Sequence, residues 1–228
     1  MSDTVDRRPL TLAADGAQCY VGAALPDLTT LHAIAEAIPQ DRAGVRLHGI
    51  ASLRSVLRAP GNIGALVTNL LGPDARAVRA ILFDKSPATN WSLGWHQDRT
   101  ICVRNRADVD GFGAWTMKAG LHHVEPPFGV LAGMLTVRVH LDDVPDSNAP
   151  LLIAPGSHLL GRIPVMAVPD AVDRCGIYRC TARAGDVWVY ATPILHASDA
   201  AISANHRRVL QVDFSASDLP AGLQWTGI

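Results

Sequence analysis

Apolar and polar positions give the chain two textures. In the first third, Leu28, Leu31, Ile34, Ala35 and Ile38 recur at steps of three and four, which predicts a helix over 27–38 that Pro39 ends. Shorter helices are predicted over 51–58 and 63–71, the second stopped by Gly72-Pro73. Residues 1–17 read as a lead-in and 19–23 as a short edge strand. From Val78 onward the apolar residues alternate or come in short runs. Strands are predicted over 80–83, 101–104, 134–141, 151–153, 163–168, 178–181, 186–190, 195–198 and 207–214. Joints such as Pro145-Asp146-Ser147-Asn148, Pro155-Gly156-Ser157 and Ala184-Gly185-Asp186 separate them. Many short strands behind a helical preface predict a mainly β protein: a jelly-roll double sheet with the N-terminal helices packed on one sheet. The whole chain, 1–228, reads as one domain with a layer boundary near residue 78. The segment 105–127 is rich in glycine, has little periodicity and is long for a plain connection, so it is a candidate lid.

Composition narrows the class. The 228 residues are 48% hydrophobic and 18% charged, with a net charge of -1, an ordinary globular profile without the basic excess that nucleic-acid binding requires. Uncharged runs such as 126–137 and 187–198 are short of the ~20 apolar residues a membrane span needs. Residues 1–9 carry Asp3, Asp6, Arg7 and Arg8 and lack the apolar centre of a signal peptide. Cys19, Cys102, Cys175 and Cys180 form no C-x-x-C pair, which points to reduced thiols in a cytoplasmic protein. The expected partner is a small molecule, with neither nucleic acid nor membrane; oligomeric state is left open.

The candidate chemistry lies in His-x-acid pairs. In Gly94-Trp95-His96-Gln97-Asp98-Arg99, an extended backbone puts His96 and Asp98 on one face, about 6–7 Å apart. With a second, distant His, such a pair completes the two-His, one-carboxylate set that suits Fe(II) and leaves coordination positions open. His140-Leu141-Asp142 and His123-Val124-Glu125 offer the same spacing. Further on, alternation places His196 and Ser198 on one face of a strand. In the last strand Arg208, Leu210, Val212 and Phe214 share one face, while Arg207, Val209, Gln211 and Asp213 share the other. The second row can line a partly polar interior, where an arginine forks onto a carboxylate.

Taken in order, Ile81-Leu82-Phe83-Asp84-Lys85, Trp95-His96-Gln97-Asp98, Leu141-Asp142-Asp143, Ala154-Pro155-Gly156-Ser157-His158, Leu195-His196-Ala197-Ser198 and Arg207-Arg208-Val209-Leu210 resemble the phytanoyl-CoA dioxygenase family. That family contains Fe(II)- and 2-oxoglutarate-dependent oxygenases, ectoine hydroxylase among them. The resemblance runs from about 78 to 216 and implies a double-stranded β-helix, cupin-like in shape. It implies His96, Asp98 and His196 as the metal-binding and catalytic set, with Fe(II), 2-oxoglutarate and O2 as cofactor and cosubstrates. It also implies Arg207, eleven residues past His196, and Ser198 as the grip on the far carboxylate of 2-oxoglutarate, Arg208 being the alternative if the register shifts by one. In this alignment His140 and Asp142 fall outside the ligand positions.

Lys85 and Arg138 are further candidates to meet a cosubstrate or substrate anion. Lys85 is assigned here to the cosubstrate; Arg138, Gln97 and Trp115 are assigned to the substrate. Trp91 and Trp95 are expected to border the pocket or sit in the core, and His122, His123 and His158 to be loop or supporting residues. The implied reaction is hydroxylation of an unactivated C–H bond in a small metabolite or natural-product intermediate, 2-oxoglutarate going to succinate and CO2. Related halogenases lack the carboxylate ligand; Asp98 is present, which argues against chlorination. Two alternatives are a cupin-type metalloprotein working without 2-oxoglutarate and a non-catalytic binding relative.

Overall fold

The computed structural model describes residues 8–39, 42–87, 89–202 and 206–228, so most of the charged N-terminus read above lies outside the described residues. In chain order the helices are α1 (Leu12–Asp15), α2 (Leu28–Glu36), α3 (Ala51–Leu57), α4 (Asn62–Leu71), α5 (Phe128–Ala132) and α6 (Val168–Cys175). The strands are β1 (Ala17–Tyr20), β2 (Gly44–Arg46), β3 (Arg76–Lys85), β4 (Leu93–His96), β5 (Ile101–Val103), β6 (Gly113–Lys118), β7 (Leu121–Glu125), β8 (Met134–His140), β9 (Leu151–Ile153), β10 (Tyr178–Cys180), β11 (Val187–Ala191), β12 (His196–Ser198) and β13 (Arg207–Ser215). They form a six-stranded sheet in the order β1-β11-β8-β13-β3-β2, a four-stranded sheet in the order β10-β9-β12-β4, and a three-stranded sheet β5-β7-β6.

Period-two alternation assigns the two faces of the large sheet. Leu82, Val137, Val139, Val189, Leu210 and Val212 point outward and are buried against α2, α3 and α4, whose Leu31, Leu53, Leu57, Ile63 and Val67 complete the main core. The inner face is different. It carries Arg79 and Lys85 on β3, Thr136, Arg138 and His140 on β8, Tyr190 on β11, and Arg207, Gln211 and Asp213 on β13, nearly all of them buried. The helical layer therefore stabilises the sheet from behind and leaves its inner face free for polar groups.

Several segments differ from the sequence reading: β2 and β4 form where the pattern predicts no strand, and two further segments change type. Residues 163–168 do not form a strand: a 3-10 turn, Val165–Ala167, runs into α6. Pro169 in the first turn, Asp170 beside it, Gly176 after the end, and Val168, Ala171 and Val172 on one buried face are helix signals that outweigh the short apolar alternation before them. Segment 105–127 contains β6 and β7, joined through Ala119 and Gly120 at φ 50 and φ 75. Two left-handed residues are what a tight hairpin turn requires, but Ala-Gly lacks the Asn that normally announces one. The edge strand expected over 19–23 is Ala17–Tyr20 and pairs only with β11. Cys19, Cys102, Cys175 and Cys180 are all free. Among the described residues no helix is long and apolar enough to cross a membrane.

Gly64 shows how tightly the helical layer packs. A Cβ at this position in α4 would lie 2.1 Å from the Arg58 carbonyl carbon and 2.5 Å from the Ala59 nitrogen. Gly64→Ala is expected to lower stability by about 1–3 kcal/mol through overpacking, although Ala is favoured over Gly by ~1 kcal/mol in an open helix. Urea denaturation checks this, and a variant as stable as the parent would contradict it.

Candidate metal and cosubstrate site

Strand pairing brings the three expected ligands together. β12 lies antiparallel to β4 with His196 directly opposite His96, and their ring centroids are 4.3 Å apart. Asp98 follows two residues on, and one ligand atom from each of His96, Asp98 and His196 lies within 4.8 Å of the others. Each ring is oriented by its own strand: His96 Nδ1 lies 2.8 Å from the Gly94 carbonyl and His196 Nδ1 3.0 Å from that of Ile194. An Nδ1–H bonded to a carbonyl leaves Nε2 as the free lone pair, the arrangement metal-binding histidines use.

Charge favours the same use. Burial pulls the His196 imidazolium down to about 4, so the ring is neutral near pH 7. Burial would raise Asp98, but Arg79, His196, His96 and Arg138 outweigh it and hold the carboxyl below its ordinary value. Arg79 Nη2 stands 3.5 Å from Asp98 Oδ2, and Arg79 Nε donates to Asp213 Oδ2 at 2.5 Å. Asp213 in turn accepts from Thr136 Oγ1 at 3.1 Å. Asp98 Oδ2 is buried without a hydrogen bond of its own, as expected of an oxygen that has a use beyond the fold.

Arg207 is 2% exposed and donates to the Ala149 carbonyl. Lys85, directly opposite it on β3, is fully buried and donates to Ser198 Oγ at 3.0 Å and to the Asp199 carbonyl. Burial, with Arg207 and Arg138 nearby, brings the Lys85 ammonium down to about 8; burial and Arg138 bring Arg207 down to about 9. His140, pulled down to about 3 by burial and by the same two arginines, has neither ring nitrogen bonded. The Nε atoms of Arg138 and Arg207 are also buried without partners, and the buried Tyr190 hydroxyl meets the Arg138 side chain. Native interiors rarely leave so many donors idle. The donor set therefore fits an anionic, multiply hydrogen-bonded group between the metal ligands and Arg207, and the two-His, one-carboxylate set fits iron.

The competing pairs are committed elsewhere. Asp142 binds Arg208 at 2.7 Å and 3.0 Å, which keeps Arg208 on the outer face and leaves Arg207 inside. His123 lies 3.1 Å from Cys102 Sγ, and Glu125 pairs with Arg162. Gln97, expected at the substrate, points away from His96 and Asp98. Its amide donates to the Gly161 and Pro193 carbonyls at 3.0 Å and 2.8 Å and accepts from Ile163 N at 2.9 Å, so it staples the metal strand to the following loops. Strand alternation requires this, since neighbours of inward residues face outward. Trp115 sits on the β6–β7 hairpin, packed on the apolar cluster around Val124 and 5.6 Å from the Arg106 guanidinium. Trp91 lies under Lys85 at 5.0 Å, and Trp95 packs beside α6. His122 meets Trp115 edge-on, and the His158 ring lies against Gly16. Sequence reasoning passed over Arg79 and Tyr190 and weighed His140 only as a ligand, although alternation from Lys85 back through Phe83 and Ile81 to Arg79 puts Arg79 on the inner face.

Residues 31–209 match the sequence profile of the phytanoyl-CoA dioxygenase family. The chain belongs to that family. No curated protein matches its sequence significantly. Among solved structures, the family member resembles the epimerase SnoN in complex with Fe3+, alpha-ketoglutarate and nogalamycin RO (16% identity, TM-score 0.66, covering 92% of this chain and 88% of that one). It also resembles HygX from Streptomyces hygroscopicus with nickel, 2-oxoglutarate and hygromycin B (13% identity, TM-score 0.59, 90% and 84% covered). A third is apo EctD from S. alaskensis (17% identity, TM-score 0.60, 94% and 80% covered). At these identities the likeness carries the fold. Family membership, together with the His-Asp-His set, makes this an iron- and 2-oxoglutarate-dependent protein of the oxygenase type.

Lys85 gives a pH signature. Its folded value, about 8, is below the ordinary lysine value of 10.5, so between those values the unfolded chain binds the extra proton. This group's contribution to stability therefore rises with pH across that interval. Ligand-free protein should gain stability from pH 8 to 10, and Lys85→Met should lose that part of the gain, as read by denaturation midpoints. Identical pH profiles for the two proteins would contradict a buried, unpaired ammonium.

Proposed function

We propose that the protein hydroxylates an unactivated C–H bond of a small metabolite or natural-product intermediate, with His96, Asp98 and His196 as the iron ligands. The observation that supports this best is the convergence of those three side chains, from two places in the chain, on the interior that also holds the unpaired cations Arg207 and Lys85. When bound, iron supplies the redox chemistry that activates O2; three protein ligands leave room for a bidentate 2-oxo acid and O2. The chain's own residues bind and orient. His96 and His196 present Nε2, and Asp98 supplies the carboxylate that leaves no place for halide. Arg207 and Ser198 hold the distal carboxylate of 2-oxoglutarate, as the family motif implies, and Lys85 joins them from β3. The 105–127 segment, with Trp115, covers the substrate side and limits water; the compartment we propose is the cytoplasm.

Overall, 2-oxoglutarate, O2 and R–H become succinate, CO2 and R–OH. Epimerisation is the second reading, favoured by the likeness to SnoN. Turnover of iron-loaded protein with 2-oxoglutarate and 18O2 over a panel of glycosylated and polycyclic metabolites separates the two. Hydroxylation predicts succinate and a product heavier by one labelled oxygen; stereochemical inversion without labelled oxygen would replace hydroxylation by epimerisation. No succinate across the panel would count against both.

A further inference from the structure

We propose that Arg138 is a second guanidinium clamp on the distal carboxylate of the 2-oxo diacid, closing on it from the strand beside Arg207; this rests on the reading above that the barrel holds 2-oxoglutarate. The strand register makes the placement. On the inner face of the large sheet, Asp213 stands opposite Arg79 on one side and Thr136 on the other, forming the row beside Asp98. Arg138 is opposite Gln211, one inward step of about 6.8 Å from that row. Arg207 and Lys85 form the far row, and their side chains come back toward Arg138 closely enough for its charge to bear on both. Arg138 also bears on Asp98 and His196. The guanidinium thus lies between the metal ligands and the far cations, along the path a chelated diacid would occupy.

Its partners are the second argument. Arg138 is 6% exposed, yet its side-chain partners are neutral: Nη1 donates to Gln211 Oε1 at 2.8 Å, the guanidinium also meets the Tyr190 hydroxyl, and its carbon lies 5.7 Å from the Phe83 ring centre. Nε has no partner. The acids of the inner face, Asp98 and Asp213, are both engaged by Arg79 at the other end. Among the described residues no carboxylate forms a salt bridge with Lys85, Arg138 or Arg207. Three buried cations without an ion pair are costly to the folded chain, even with the Asp199 charge acting on Lys85 and the Asp98 charge on Arg138. A cation kept for packing alone would be replaceable by an apolar residue of similar volume, whereas a carboxylate arriving among the three supplies the missing charge and accepts the idle donors.

The test uses Arg138→Met and Arg138→Lys on iron-loaded protein without O2, titrated by calorimetry with 2-oxoglutarate and with 2-oxovalerate, which lacks the distal carboxylate. Arg138→Met should weaken 2-oxoglutarate about 10–100-fold, the usual worth of hydrogen bonds to a charged group. It should leave 2-oxovalerate affinity and iron content unchanged, with Arg138→Lys in between. The melting temperature of ligand-free Arg138→Met should equal or exceed the parent's. A lower melting temperature with unchanged 2-oxoglutarate affinity would make Arg138 structural and overturn the inference; equal weakening of both acids would also overturn it. Parent protein that holds iron but binds neither acid would overturn the 2-oxoglutarate reading itself, and this with it.

Discussion

The site depends on one register. His196 must lie across from His96, because the two rings and Asp98 can share a centre only if β12 and β4 meet at that pair. A slip of one residue would turn every side chain of the moving strand to the opposite face. Several bonds work against a slip. The Gln97 amide is tied to Pro193, just before β12, and to Gly161 and Ile163 in the loop beyond β9. Leu195 N donates to the buried Ser157 hydroxyl at 2.8 Å. β12 is further held between β9 and β4, with Ile153 also paired to His196. Between His196 and Ser198 the pairing with β4 shifts, so Ser198 stands opposite Leu93 while still facing Lys85. The outward neighbours of the ligands thus fix the strands, and the inward residues are freed for chemistry.

Charge is distributed unevenly along the barrel, and that asymmetry suits a chelating diacid. Near the metal ligands a single guanidinium, Arg79, is shared by two carboxylates, Asp98 and Asp213, so that end is the acidic one and suits a metal cation, and Asp98 stays ionised. Burial nonetheless raises Asp213 above the ordinary range, even with Arg79 and Thr136 bonded to it. At the far end Lys85, Arg138 and Arg207 have only neutral partners. An interior that is acidic at the metal-ligand end and cationic at the other orients a chelating anion without any movement of the backbone. The hydrophobic layer of α2, α3 and α4 makes this affordable, since the outer face of the same strands contributes the main core.

How much of this was legible in the sequence depends on the kind of signal. Apart from the short edge strand β2, the strands of the large sheet were readable because one face is apolar and packed under helices, which gives clean alternation in β8 and β13. The inward turn of Arg207 followed from the same alternation, and the choice of His96-x-Asp98 over His140-x-Asp142 from the ordered family motifs. The β6–β7 hairpin was not readable, because its residues are largely exposed and its turn uses Ala-Gly. Helix α6 was obscured by apolar alternation leading into Val168. The Gln97 role was legible in principle, since it sits between two inward residues, but its partners are 64 and 96 positions away and only the folded chain brings them together. The network of Arg79, Asp98 and Asp213 spans β3, the end of β4 and β13, so no local pattern announces it.

The most direct test is a crystal structure of the protein grown without O2 in the presence of Fe(II) and 2-oxoglutarate. The predicted result is one iron bound by Nε2 of His96, Nε2 of His196 and a carboxylate oxygen of Asp98, with the diacid running from the metal to the Arg207 guanidinium. Iron bound elsewhere, or a cosubstrate whose far carboxylate lies away from Arg207, would contradict it.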